Sequence, residues 1–214
     1  MVARKIAERR QLLAQSFDVS SQFRLIEESC VPSYIHPNYL AALVAWYRLL
    51  VAARFYHRYG SAGRILDFGS GTGEIYHILD TDQPYDFIES NDILVQALIR
   101  WIPHAHRTSL EELKNNYYTA IFALDVLEHV DDVQNILNRL IGALTQDGIF
   151  ILSGPTENLL YKLGRRIVGF GGHYHKTNIY GVESVVGREL DCIHQKTVPL
   201  GVPLFRVSIW RNRA

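Results

Sequence analysis

The stretch RILDFGSGTGEI, residues 64–75, decides how the rest of this sequence is read. A short apolar run leads into a loop with glycines at 69, 71 and 73, and a helical pattern follows. Strand, glycine-rich turn and helix in that order place backbone amides at the end of a parallel strand, where α/β sheets bind nucleotides. The spacing is G-x-G-x-G. A dinucleotide fingerprint would have its third glycine at position 74, and this chain has Glu74. A pyrophosphate would be repelled there by Glu74 and the nearby Asp67. A ligand with an ammonium and a sulfonium and no phosphate would be welcomed. Glu89, which closes YDFIE about twenty residues after the glycines, can accept both hydroxyls of a ribose.

Working outward, the segment from residue 63 alternates short apolar runs with helical patterns. Strands are predicted at 64–68, 85–89, 104–108, 118–124 and 148–153, and helices near 73–80, 91–101, 109–114 and 131–144. The last helix is the clearest, with Val133, Ile136, Leu137, Leu140, Ile141 and Leu144 on one face. Asp131 and Asp132 suit its N-terminus, and Asp147 with Gly148 turns the chain afterwards. Such alternation implies a parallel sheet covered on both faces. Residues 191–198 and 205–210 read as two further strands, and the short link between them makes an antiparallel pair at the sheet's edge. Residues 1–60 read as a helical cap, broken near 18–21 and punctuated by Pro32 and Pro37.

Composition narrows the function classes. The 214 residues suit one sizeable domain, and 48% hydrophobic with 21% charged residues is ordinary globular material. Cys30 and Cys192 are far apart and match no metal spacing, which fits a reducing cytoplasm. The N-terminus is charged throughout and lacks a signal peptide's apolar core. YLAALVAWYRLLVAARFY, residues 39–56, is interrupted by Arg48 and Arg54 and reads as a buried core helix, not a membrane span. Contact with a membrane surface stays compatible with the sequence. Lysine plus arginine equals aspartate plus glutamate, 22 against 22, so no global field calls for nucleic acid. The charge is uneven: residues 1–60 carry net +4, residues 61–153 net −9, and residues 154–214 net +5. Flanks of that sign can build a substrate surface that favours anions.

Taken together, ILDFGSGTGE, FIESND, RTSLEEL and ALDVLEHVDD followed by an amphipathic helix and LTQDGIFILSGPTEN resemble the class I S-adenosylmethionine-dependent methyltransferases. The resemblance covers residues 60–155. It implies a three-layer Rossmann-like α/β fold with a seven-stranded sheet of order 3-2-1-4-5-7-6, strand 7 antiparallel, spanning residues 61–214 behind the cap. The implied cofactor site comprises Asp67, Gly69, Ser70, Gly71 and Gly73, with Glu89 and Ser90 at the ribose. Ser109 and Leu110 would frame adenine, and Leu124 and Asp125 would close the site. Arg48 would clamp the cofactor carboxylate. Beyond residue 155 the stretch GGHYHKTNI looks most like the quinone-biosynthesis O-methyltransferases, and a substrate lid is expected within 155–189.

Asp125, Glu128 and His129 are spaced D-x-x-E-H, where some relatives hold a divalent metal with E-x-x-E-H and a later histidine. His173 or His175 would be that later ligand here. The reading favours no metal, with Glu128 and His129 ordering the start of the next helix. His129 and Asp125 are the candidate catalytic residues, His129 as a metal-free general base, since an imidazole titrates near neutrality. The expected activity is methyl transfer from S-adenosylmethionine to a small or lipid-like acceptor, at oxygen. The rivals are an RNA-end 2′-O-methyltransferase with a metal site and a non-catalytic cofactor-binding scaffold.

Overall fold

The computed structural model describes residues 2–18, 26, 29–156, 178–199 and 203–213. Its strands are β1 (Ile65–Phe68), β2 (Tyr85–Ile88), β3 (His106–Arg107), β4 (Tyr118–Leu124), β5 (Leu144–Pro155), β6 (Leu190–Val198) and β7 (Phe205–Asn212). They form one seven-stranded sheet of order β3-β2-β1-β4-β5-β7-β6, the order the sequence implied. β1 to β5 are parallel, and β7 runs antiparallel to both β5 and β6. The helices are α1 (Val2–Ser16), α2 (Val31–Tyr34), α3 (Tyr39–Tyr59), α4 (Glu74–Leu79), α5 (Asp92–Trp101), α6 (Val133–Ala143) and α7 (Ile179–Val186).

Strand alternation divides the core between two faces. Ile65, Phe87, Ala120, Phe122, Ile149, Ile151, Val207 and Ile209 face a cluster completed by α1, α3, α4 and α5. Leu66, Phe68, Ile121, Ala123, Phe150 and Leu152 face the opposite cluster with α6 and α7. Each residue along a central strand is therefore buried on one face or the other, which explains their unbroken apolar runs. Among the described residues, α3 is the helix long and apolar enough to cross a membrane. Ten of its residues are buried, and it packs on the sheet as the predicted core helix.

Caps set the helix starts. Asn38, Asn91, Asp132 and Asn178 each accept from a backbone N–H in the first turn of α3, α5, α6 and α7. Asp132 Oδ1 accepts from Asn135 N at 3.1 Å, the N-terminal role expected of it.

Three expectations are corrected. The strand expected over 104–108 is only His106–Arg107, β3. Residues 109–114 form turns and no helix. The Glu112 carboxylate accepts from Ser109 N at 3.0 Å, as a cap would, but Asn116 soon enters the left-handed region at φ 53°. The stop predicted at Asp147 and Gly148 is absorbed into β5: Tyr118 to Ala120 on β4 spans Leu144 to Ile149 on β5, so the extra residues bulge without ending the strand.

Candidate functional site

The carboxyl ends of β1, β2 and β4 open into a cavity of about 540 Å³, at the crevice where α/β sheets hold ligands. Asp67, Gly69, Ser70, Gly71, Glu89, Ser90, Leu124 and Asp125 line it, and so does His129. These predicted residues come together from three separate stretches of chain. Gly73, Ser109, Leu110 and Glu128 are not in its wall. Gly73 caps α4 and abuts Leu98 and Ile102, while Leu110 packs against the α6 face of the core.

The glycines of the loop answer different demands. Gly69 has φ +72°, and a side chain there would run into Val126. Gly71, at φ +55°, would meet nothing within 4 Å. Open space over Gly71 belongs to the cavity, so this is the residue where a ligand can approach the backbone. Gly71 N donates to Glu89 Oε2 at 2.8 Å, and Asn91 N donates to Oε1 at 2.9 Å. The carboxylate is thereby aimed across the loop from the end of β2.

Asp67 is 2% exposed and accepts from the Tyr85 hydroxyl at 2.6 Å. Burial pushes its carboxyl up to about 7, against the pull of that hydrogen bond, and Glu89 adds to the rise. Asp125 follows β4 in the left-handed region, φ 54°, which an aspartate tolerates better than most side chains. Its Oδ2 lies 2.5 Å from Arg48 Nη1, and its Oδ1 is buried without a hydrogen-bond partner. Ser70 Oγ is likewise buried and unpartnered. Arg48, expected at the cofactor carboxylate, is instead 5% exposed, paired with Asp125 and stacked 4.1 Å over the Phe205 ring.

A roof not foreseen from sequence comes from the cap: Ser29, Cys30, Val31, Tyr34 and Leu49 complete the wall. Cys30 Sγ is 3.9 Å from Asp125 Oδ2, and burial with that carboxylate pushes the thiol up to about 12. It is a neutral, inert group there. The one local hint was the Val31–Pro32 punctuation, which starts α2. Glu74 also lines the wall, but its charge is matched by Arg9 at 2.6 Å, so the repulsion expected of it is largely offset. Among the described residues, no group of three His, Cys, Asp or Glu side chains is arranged to hold a metal ion. His173 and His175 lie outside the described residues.

Comparison with known proteins supplies the family. A family model described as a methyltransferase domain matches residues 43–183, more than half of the chain. No curated protein matches. Among solved structures, the PH0226 protein of Pyrococcus horikoshii is 13% identical, with TM-score 0.67, covering 85% of this chain and 96% of that one. The N-methyltransferase NodS of Bradyrhizobium japonicum, in complex with S-adenosyl-L-homocysteine, is 12% identical at TM-score 0.64, covering 80% and 88%. Magnesium protoporphyrin IX methyltransferase of Synechocystis, also with that product bound, is 15% identical at TM-score 0.61, covering 82% and 88%. At such identities the structures speak to the shared fold, and the matched family speaks to the chemistry. With the strand order, the glycine loop and the spaced Glu89 all in register, the chain belongs to the methyltransferase-domain family, as a class I S-adenosylmethionine-dependent methyltransferase.

Proposed function

We propose that this methyltransferase acts on a hydroxyl of a small or lipid-like acceptor, in the manner of the quinone-biosynthesis O-methyltransferases that its LEHV stretch resembles. The observation that carries this reading is His129 in the wall of the same cavity as Gly71 and Glu89. The residues present fit S-adenosylmethionine. Gly71 leaves open space, and Ser70 Oγ and Asp125 Oδ1 are buried polar atoms awaiting partners.

Backbone groups of residues 69–73 hold the amino-acid portion, and Glu89 with Ser90 takes the ribose hydroxyls. Leu124 and Asp125 close that end, and Asp67 faces the ligand's cationic side. Ser109 and Leu110, which follow β3 outside the cavity wall, border the adenine only where it extends past that wall. When bound, the cofactor would supply an electrophilic methyl group for in-line transfer, with the neutral thioether S-adenosylhomocysteine as the leaving group. The chain's part is to position and to exclude water. The roof of Val31, Tyr34 and Leu49 does the excluding. An imidazole nitrogen of His129 takes the proton of the acceptor hydroxyl as that oxygen attacks. The acceptor can be anionic and residues 1–60 act as cap; of the lid expected within 155–189, residues 157–177 lie outside the described residues and α7 packs in the core. The chain works in the cytoplasm without a resident metal, reaching a membrane surface at most peripherally.

The test is methyl transfer from isotopically labelled S-adenosylmethionine to matched panels of phenols, aliphatic alcohols and amines, alongside calorimetric titration. S-adenosylhomocysteine should bind at micromolar affinity and NAD should not. Label should appear on oxygen. His129→Ala should lose at least about 100-fold in turnover while keeping cofactor affinity, the lower end for a general base. Transfer confined to amines or to capped RNA would overturn the acceptor assignment. Binding without turnover on any panel would favour the scaffold reading.

A further inference from the structure

One carboxylate of the cavity wall belongs to a charge pair that methyl transfer does not use. Glu74, the first residue of α4, lines the cavity and is 2% exposed. Its oxygens accept from Nε and Nη2 of Arg9 at 2.9 and 2.6 Å, and from the Thr72 hydroxyl at 3.0 Å. Arg9 is 8% exposed, and its guanidinium lies 4.5 Å above the Trp101 ring at the end of α5. One turn earlier on α1, Lys5 pairs with Asp80, just past the end of α4, at 2.5 Å. The two bridges run in opposite senses along the chain, so they fasten α1 antiparallel to α4. Leu13, fully buried, continues the contact beyond them, and Phe17 meets the Trp101 ring edge-on at 6.3 Å.

A fork-to-fork guanidinium–carboxylate pair fixes orientation as well as charge. Removing one partner of a buried pair leaves the other without compensation for its lost hydration. Here the orphan would be a carboxylate adjoining the glycine loop, and the donors within reach would be the Thr72 hydroxyl and the amides that the ligand needs. We infer that Arg9 is a positioning residue for the cofactor: through Glu74 it holds the end of the glycine loop, so docking of α1 and binding of the cofactor are one coupled equilibrium. The inference rests on the reading that this cavity takes S-adenosylmethionine.

The coupling has a pH signature. Burial pushes the Glu74 carboxyl up, and Arg9 and Thr72 pull it back. Without Arg9 the upward push is less opposed, so Glu74 takes a proton at higher pH than before. Protonation then relieves the uncompensated charge, and the defect shrinks as pH falls. The other groups around Glu74 are Tyr34 of α2 and Tyr85 of β2, both held far above the usual tyrosine range, chiefly by burial, and His77 on α4. Burial, Arg9 and Lys5 press His77 down to about 3, so it stays neutral. Asp67, which also acts on Tyr85 and whose carboxyl burial pushes up to about 7, is left unaltered in all of these variants, so the ratio of variant to wild type is read against that common background.

The experiment measures S-adenosylhomocysteine affinity by calorimetry for the wild type, Arg9→Met, Glu74→Gln and the double variant. Arg9→Met should lose about tenfold or more at about pH 8.5 and less at about pH 6, because only the ionised orphan is penalised. Adding Glu74→Gln should restore affinity to within about threefold of wild type, the orphan charge being gone. In the unaltered chain, bound S-adenosylhomocysteine should slow amide hydrogen exchange across α1, since coupling acts in both directions. That measurement needs no variant to fold. A loss equal at both pH values and unrelieved by Glu74→Gln, no loss at all, or α1 exchange indifferent to ligand would each overturn the role of Arg9. A wild-type chain that failed to bind S-adenosylhomocysteine would remove the cavity reading with it, whereas a binding wild type with indifferent variants removes the Arg9 inference alone.

Discussion

Asp67 sits at the junction of β1 and the glycine loop with almost no access to water, and its energetics can be followed by pH. In the unfolded chain its carboxyl ionises near 3.8, and in the fold near 7. Between those values the unfolded state gives up a proton that the folded state keeps. The stabilising contribution is therefore complete below about pH 4 and is lost as pH rises to about 7, amounting to roughly 4 kcal/mol at about 1.4 kcal/mol per pH unit. Asp67→Asn, which can keep the Tyr85 hydrogen bond, should flatten this dependence in the ligand-free protein. Urea unfolding at about pH 5 and about pH 8 measures it. Equal pH slopes in wild type and variant would rule the account out. Residues of this kind were legible because each belongs to a local motif: Asp67, Gly71, Glu89 and Asp125 all stand at strand ends in a fixed grammar. The pairings were not. Arg9 and Glu74 are 65 residues apart, and nothing near either announces the other. The same holds for Cys30 over Asp125 and for Arg48, whose partner decides whether it is a clamp or a strut.

Elements with a strong period were readable, and those made by their neighbours were not. α6 carries its apolar positions on one face, and Leu137 and Leu140 are fully buried against the sheet. Leu137→Ala should cost about 2–5 kcal/mol through lost burial and the cavity left behind. Asp132→Ala, which removes only the cap, should cost about 0.5–2 kcal/mol. Chemical denaturation with an unchanged denaturant slope would report both. A Leu137→Ala loss smaller than that of Asp132→Ala would mean that this face is not packed as described. The segment 109–114 misled because its first residues carry a genuine cap, while six residues do not offset helix nucleation without tertiary packing: the equally short α4 is mostly buried, and none of 109–114 is. β3 was drawn as five residues and is two, His106 and Arg107, since pairing with β2 alone sustains it at the edge. Periodicity states what a segment prefers; the length it keeps is set by what it packs against.

Across the whole molecule, the uneven charge of the sequence gains a structural meaning. Lys5, Arg9 and Arg48 of the basic flank meet Asp80, Glu74 and Asp125 of the acidic middle, so part of that imbalance is resolved inside the fold. The acceptor remained illegible because residues 1–60 and those after 155 are where the sequence matches a known pattern least. The sheet order has a further consequence, for synthesis. β6 precedes β7 along the chain, yet β7 is its hydrogen-bonded neighbour and stands between it and β5. A nascent chain that has emerged through residue 198 carries a finished strand with nowhere to dock, while β5 keeps an open edge. On the ribosome, the last third of the sheet must therefore assemble late and in one step, as β7 arrives to join β5 and β6 together. Stalled translation complexes released through residue 198 should be cleaved readily by protease within residues 190–198, and complexes released through residue 212 should resist. Equal protection at both lengths would show that β6 finds a temporary partner during translation.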